Sequence, residues 1–223
     1  MTDTHAPMPP SKLQNYNSAR GAAAYKSDHQ HKLHRRFTDR RERALLARYF
    51  ARIGVCSQVL DLPCGHGRMA DLLSARCRTL LEADWSFSMV RLNQADHRQA
   101  GNRRYLRCSA LEIPLPERSV DCAVSLRLSH HLQTQELRER HLRELFRVAD
   151  RAVIVTWFSP TSLKNVLRAL RVRFFGKQPK NTVRNDRVRA IAGECGFVQR
   201  AARPLFLIGS GHVVGLFMRA ASG

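Results

Sequence analysis

The chain of 223 residues has no run of 18 apolar residues, so its sequence offers no helix able to span a bilayer. Residues 1–11 are polar, hold three prolines and lack the apolar core of a secretion signal, which argues for a cytoplasmic protein. The six cysteines (Cys56, Cys64, Cys77, Cys108, Cys122, Cys195) form no C-x-x-C pair and no metal-ligand spacing. A disulfide framework and a metal site are therefore not expected, and most of these thiols read as small buried hydrophobes in a reducing compartment. Acidic residues are scarce: 18 Asp and Glu stand against 38 Lys and Arg, a formal charge of +20. The excess is uneven. Residues 1–50 carry ten Lys/Arg against four acids, and residues 159–189 carry nine against Asp186. Such a balance favours an anionic partner: nucleic acid, a membrane surface or an acidic substrate. An inert arginine-rich surface is the plainer alternative.

What is present fits one medium domain, with 43% hydrophobic residues. Residues 1–28 read as a mobile arm and 29–223 as the domain, with a basic insertion at about 159–185. Residues 29–53 read as a helix whose apolar positions are Leu33, Phe37, Leu45, Leu46, Tyr49 and Phe50. Strands are expected at 58–62, 78–83, 105–108, 122–126, 152–158, 197–202 and 213–219, with helices at 68–75, 86–99, 133–148 and 186–195. The alternation predicts an α/β, doubly wound, Rossmann-like sheet of seven mostly parallel strands, with an antiparallel strand near the C-terminus.

Such sheets bind ligands at the carboxyl ends of their central strands. The first strand runs into Val59-Leu-Asp61-Leu-Pro63-Cys-Gly65-His-Gly67-Arg68, where glycines let the backbone turn tightly and approach a ligand closely. Gly65 to Ala70 also fits a G-x-G-x-x-A dinucleotide fingerprint, so a nicotinamide or flavin enzyme must be weighed. Asp61, four residues before Gly65, argues against it. A carboxylate there would repel a pyrophosphate by several kcal/mol, to order of magnitude, in a partly dry site. S-adenosylmethionine (SAM) instead carries a cationic sulfonium and an ammonium. Asp84 ends the second strand 19 residues after Gly65, a spacing that suits a ribose in either cofactor class.

These motifs resemble those of the class I SAM-dependent methyltransferases, in particular the small-molecule group termed type 11. The resemblance covers roughly residues 55–158, with a weaker continuation to 219. It rests on the turn above, with Pro63 where Gly is more usual; on Glu82-Ala-Asp84-Trp85-Ser-Phe-Ser-Met89; on Cys108-Ser109-Ala110-Leu111-Glu-Ile-Pro-Leu-Pro116; and on Ser119 to Leu132, which includes Leu126, Arg127, His130 and His131. The resemblance implies SAM as cofactor, with Asp61, Pro63, Gly65, Gly67, Asp84, Trp85, Ala110, Leu111 and Leu126 around it. Asp84 would take the ribose and Trp85 would flank the adenine. Ser109 stands where the family commonly has Asp, which implies a hydrogen bond to the adenine amino group that is either weaker or supplied by the backbone. Tyr16 and Arg20 of the arm would close over the sulfonium and the carboxylate of SAM.

Beside the acceptor, His130 or His131 could take a proton from an attacking hydroxyl or amine, and Arg127 could grip an anionic acceptor group. Residues 162–177 read as a basic amphipathic helix, either a lid on the core or a contact with an anionic membrane surface. The function expected is methyl transfer to a small-molecule or lipid-like acceptor by in-line displacement. An RNA methyltransferase and a non-enzymatic SAM-fold binding protein are the alternatives.

Overall fold

The computed structural model of the chain describes residues 33–96, 101–160, 181–206 and 211–221, together with Ser18 and Gly21. Tyr16, Arg20 and the whole of the expected basic helix 162–177 therefore lie outside the described residues. The elements are α1 (Leu33–Ile53), β1 (Cys56–Asp61), α2 (Ala70–Ser74), β2 (Cys77–Asp84), α3 (Phe87–Asp96), β3 (Arg103–Arg107), β4 (Val120–Ser125), a 3-10 turn (Ser129–His131), α4 (Gln135–Val148), β5 (Ala149–Phe158), α5 (Asn185–Glu194), β6 (Phe197–Pro204) and β7 (His212–Arg219).

The seven strands form one sheet in the order β3-β2-β1-β4-β5-β7-β6. Strands β1 to β5 run parallel to one another, and β7 runs antiparallel to both β5 and β6. The fold expected from the sequence is therefore the fold observed, with β7 as the reversed strand. Strand order turns around between β1 and β4, and that reversal opens a crevice at their carboxyl ends.

Two cores result, because side chains alternate across a strand. Val59, Cys122, Val124, Ile154 and Leu216 point to one face and pack with Leu45, Leu46, Tyr49, Phe50 and Leu73 of α1 and α2. Leu60, Ala123, Val153, Val155 and Phe217 point to the other and pack with Leu142, Leu145, Phe146, Val188 and Ile191 of α4 and α5. Both faces are covered, which explains why the central strands read as continuous apolar runs.

Element boundaries depart from the sequence reading in places. The helix after the glycine turn begins at Ala70, not at 68, since Gly67 and Ala70 amides are held in turns by the Cys64 and Gly67 carbonyls at 3.1 and 3.0 Å. Strand β5 begins at Ala149, directly after α4, with no loop between them. Phe37, expected on the apolar face of α1, is 67% exposed. It lies far around the helix from Leu46 and Phe50 at 100° per residue, and the buried stripe is centred instead near Glu42 and Tyr49.

Gly215 of β7 lies under the Trp157 ring. A Cβ on Gly215 would come within 2.6 and 2.7 Å of Trp157 ring carbons and 2.8 Å of Phe217. Trp157 is locked in turn, its indole Nε1 donating to Asn185 Oδ1 at 2.8 Å at the start of α5. Neither ring can swing away cheaply in a close-packed core. Gly215→Ala should therefore destabilise the fold by about 1–3 kcal/mol, seen as a fall of several degrees in the melting temperature followed by circular dichroism.

Candidate active site

At the carboxyl ends of β1 and β2 the backbone brings three carboxylates into dry ground. Asp61, Glu82 and Asp84 are 3%, 0% and 9% exposed. Asp61 and Glu82 stand opposite each other in the β1–β2 register. Burial holds the Asp61 carboxyl well above the ordinary carboxylate range, and the neighbouring Glu82 and Asp84 push the same way, against the opposing pull of Arg68. Asp84 is pushed up to about 6 by burial, even though the amides of Ser86, Gly65 and Trp85 favour its ionised form. No three His, Cys, Asp or Glu side chains among the described residues are placed to hold a metal ion.

The glycine turn is tied to this cluster. The Gly65 amide donates to Asp84 Oδ2 at 2.9 Å and the Ser86 amide to Asp84 Oδ1 at 2.8 Å. Asp84 thus both caps the approach to α3 and fastens the turn. A carboxylate offers about four lone-pair positions, so acceptor capacity remains. Gly65 and Gly67 take φ of +56° and +80°, the left-handed region that favours glycine. A Cβ built on Gly65 would meet no described atom within 4 Å, so the space at Gly65 is open. Pro63 is half-buried and follows a cis peptide bond. Trp85 is half-buried beside Asp84, and its carbonyl accepts from Arg107 Nε at 3.2 Å.

The loop after β3 is held from below. Ala110 and Leu111 are buried, and Ser109 Oγ accepts the Leu111 amide at 3.2 Å. The Ser109 hydroxyl is thereby used within its own loop. His141 of α4, fully buried, lies 3.2 Å from the Ala110 carbonyl through Nδ1 and 3.0 Å from Ser125 Oγ through Nε2. Burial holds its imidazole down to about 4, so the ring is neutral at pH 7. It then donates to the Ala110 carbonyl from Nδ1 and accepts the Ser125 hydroxyl at Nε2. This pins the Ala110 loop to the end of β4.

The segment after β4 carries Leu126, Arg127, His130 and His131. Leu126 is buried. The His130 ring sits 4.1 Å from that of His131, 4.7 Å from Phe158 and 4.9 Å from His212, centroid to centroid. The ends of β4 and β5 and the start of β7 thus meet in one half-buried group of rings.

Arg127 is placed differently from the expectation that it grips an acceptor. Its Nε and Nη2 donate to the Glu42 carboxylate at 2.7 and 2.9 Å, and its amide donates to Thr156 Oγ1 at 2.6 Å. The guanidinium is committed to α1. Arg127 also takes φ of +60°, a conformation whose cost, of order 1–3 kcal/mol, these contacts offset. Glu42 is 1% exposed and takes a second guanidinium, Arg68 Nη1, at 2.7 Å. Arg68 follows the glycine turn and also pairs with Asp39. One carboxylate of α1 therefore joins the turn after β1 to the loop after β4, across the reversal in strand order. Sequence reading passed over Glu42 and His141. The signal for Glu42 was an acid on the buried stripe of α1, three, four and seven residues before Leu45, Leu46 and Tyr49.

Removing that carboxylate leaves two largely buried guanidiniums facing each other. Glu42→Ala should cost about 3–5 kcal/mol in urea unfolding. Glu42→Gln, which keeps a hydrogen-bond acceptor, should cost less. Equal stability of wild type and Glu42→Ala would show that the junction contributes nothing.

Comparison with known proteins agrees with this geometry. Residues 60–155 match the family model described as "Methyltransferase domain". A protein of Encephalitozoon cuniculi (strain GB-M1), named as a candidate methyltransferase, is 30% identical over 125 residues, which cover 55% of this chain and 54% of that relative. The match thus spans about half of the relative's length. Among solved structures, the magnesium protoporphyrin IX methyltransferase of Synechocystis PCC 6803, with bound SAH, superposes with a TM-score of 0.75 at 16% identity, covering 93% of this chain and 98% of that one. The N-methyltransferase NodS of Bradyrhizobium japonicum WM9, in complex with S-adenosylhomocysteine (SAH), superposes with a TM-score of 0.63 at 13% identity, covering 82% of this chain and 87% of that one. Residues 60–155 thus match a methyltransferase domain, in a chain whose fold is similar to that of these methyltransferase structures.

Proposed function

We propose that the chain binds SAM at the carboxyl ends of β1 and β2 and transfers its methyl group to a small-molecule or lipid-like acceptor at the end of β4. One observation carries the reading: buried Asp61, Glu82 and Asp84 gathered beside the glycine turn, with open space at Gly65. Arg68, the cation that acts on Asp61, is already shared with Asp39 and Glu42. A cationic ligand relieves such a cluster, whereas a pyrophosphate would be repelled by it.

The residues fit SAM in the following assignment. Asp84 accepts from the ribose hydroxyls with the capacity left after Gly65 and Ser86. Asp61 answers the positive charge of the methionine part. Gly65 and Gly67, with Pro63 before them, give the backbone its close approach. Trp85, Ala110 and Leu111 border the adenine, and Leu126 borders the methionine part. Tyr16 and Arg20 of the arm are assigned to closure over the ligand. When bound, SAM supplies an electrophilic methyl group on a cationic sulfur with a neutral thioether as leaving group.

The chain's own contribution is then mainly alignment and exclusion of water. Buried Leu126, Leu128 and Leu132 keep the loop after β4 dry. Glu42 and Thr156 hold Arg127, and with it the backbone of that loop, in place. His130 or His131 takes the proton of a hydroxyl or amine acceptor. Arg127 acts here as a brace and not as an acceptor grip.

Titration calorimetry with SAH tests the reading. Ribose hydroxyls and an ammonium favour the ionised form of Asp84, so binding at low pH must expel a proton. Affinity should be full above about pH 7 and fall as pH drops through about 6, approaching tenfold per pH unit with proton release for one site. Asp84→Asn should weaken SAH binding at least tenfold at neutral pH and flatten the dependence between pH 5 and 7. No SAH binding at millimolar concentration by folded wild-type protein would overturn the proposal.

A further inference from the structure

Helix α1 has two faces with opposite charge. Its two acids, Asp39 and Glu42, turn toward Arg43, Arg68 and Arg127. Its solvent face consists of Phe37, Arg40, Arg41, Ala44, Arg48, Ala51 and Arg52, all exposed. At 100° per residue these seven fall within roughly one-third of the helix circumference. At 1.5 Å per residue the arginines from 40 to 52 form a line roughly 18 Å long.

The line continues onto the sheet edge. Arg52 Nη1 donates to the Arg200 carbonyl of β6 at 3.4 Å. Arg48, Arg52 and Arg203 all lie close enough to the Tyr49 phenol to favour its ionised form, against a burial that raises its pKa overall. Some surface arginines elsewhere meet carboxylates: Arg118 with Asp150, Arg143 with Glu194, Arg187 with Glu139. Among the described residues, none of Arg40, Arg41, Arg48, Arg52, Arg200 and Arg203 has such a partner. Like charges at i, i+4, as at Arg48 and Arg52, repel on a helix. An anionic partner would reverse the sign of that interaction.

We propose that the outer face of α1, with Arg203 at the adjoining sheet edge, binds single-stranded nucleic acid through its phosphates. All the cations of this surface are guanidiniums, whose planar fork matches phosphate oxygens. A strand of phosphates follows a line, and the surface is a line. At its N-terminal end Phe37 is 67% exposed, a ring on which a base can stack. A membrane is the poorer match. The apolar stripe of α1 is spent on the core, and between the arginines the outer face offers only Ala44 and Ala51 to an acyl layer. The proposal does not rest on methyl transfer, and the surface is separate from the carboxylate cluster.

The test is fluorescence anisotropy of a labelled oligouridylate of about 20 nucleotides with the full chain, over a salt series. Wild type should bind, with affinity falling steeply as salt rises. The triple variant Arg48→Ser, Arg52→Ser, Arg203→Ser should lose about two units of the log–log salt slope, at about 0.7 per phosphate contact. It should bind at least tenfold more weakly at moderate salt, with SAH affinity and melting temperature unchanged. If the triple variant fails to fold, Arg40→Ser with Arg41→Ser on the same face should lower the slope by about one unit. An unchanged slope in a folded variant overturns the proposal. So does wild type that ignores the oligonucleotide at low salt, or that binds anionic phosphatidylserine vesicles and not the oligonucleotide.

Discussion

A carboxylate taken out of water needs a positive charge beside it or a proton upon it. The carboxyl end of this sheet buries four such groups, and it treats them in two ways. Glu42 receives Arg68 and Arg127, three short contacts of 2.7 to 2.9 Å, and becomes a junction between the glycine turn and the loop after β4. Asp61, Glu82 and Asp84 instead share one corner, where Asp61 and Asp84 hold their protons more tightly than usual. The first arrangement stabilises the framework. The second gathers buried acids in one corner, a setting that favours positive charge.

The two arrangements depend on one another. The reversal of strand order between β1 and β4 opens the crevice, and it also separates two loops that must be aligned. Glu42 spans that gap from the α1 side. On the opposite face, His141 spans a second one, between the Ala110 loop and Ser125. A neutral imidazole suits this place because it donates at one nitrogen and accepts at the other. The carboxyl end of the sheet is thus braced from both layers of helices by polar groups set into otherwise apolar cores.

Helix α1 illustrates how one element serves two ends. Its inner stripe carries Leu45, Leu46, Tyr49 and Phe50 into the core, with Glu42 among them reaching the site. Its outer stripe carries arginines that meet no acid among the described residues. The sequence showed the excess of basic residues in the first fifty positions but not their sorting, since sorting depends on which arc of the helix meets the sheet.

Sequence alone determined the alternation of strands and helices, the seven-stranded doubly wound sheet and the reversed strand near the C-terminus. It also placed Asp61, the glycine turn and Asp84 at adjacent strand ends. These follow from periodicity and from residues a few positions apart, where chain geometry leaves little freedom. The partners of Arg127 and His141 were decided by tertiary structure. Arg127 meets Glu42 across 85 positions, and His141 meets the Ala110 carbonyl across 31. Contacts at such separation arise from how helices dock on the sheet. A lone arginine in a sequence reads as a hand held out to substrate until the packing shows which carboxylate already holds it.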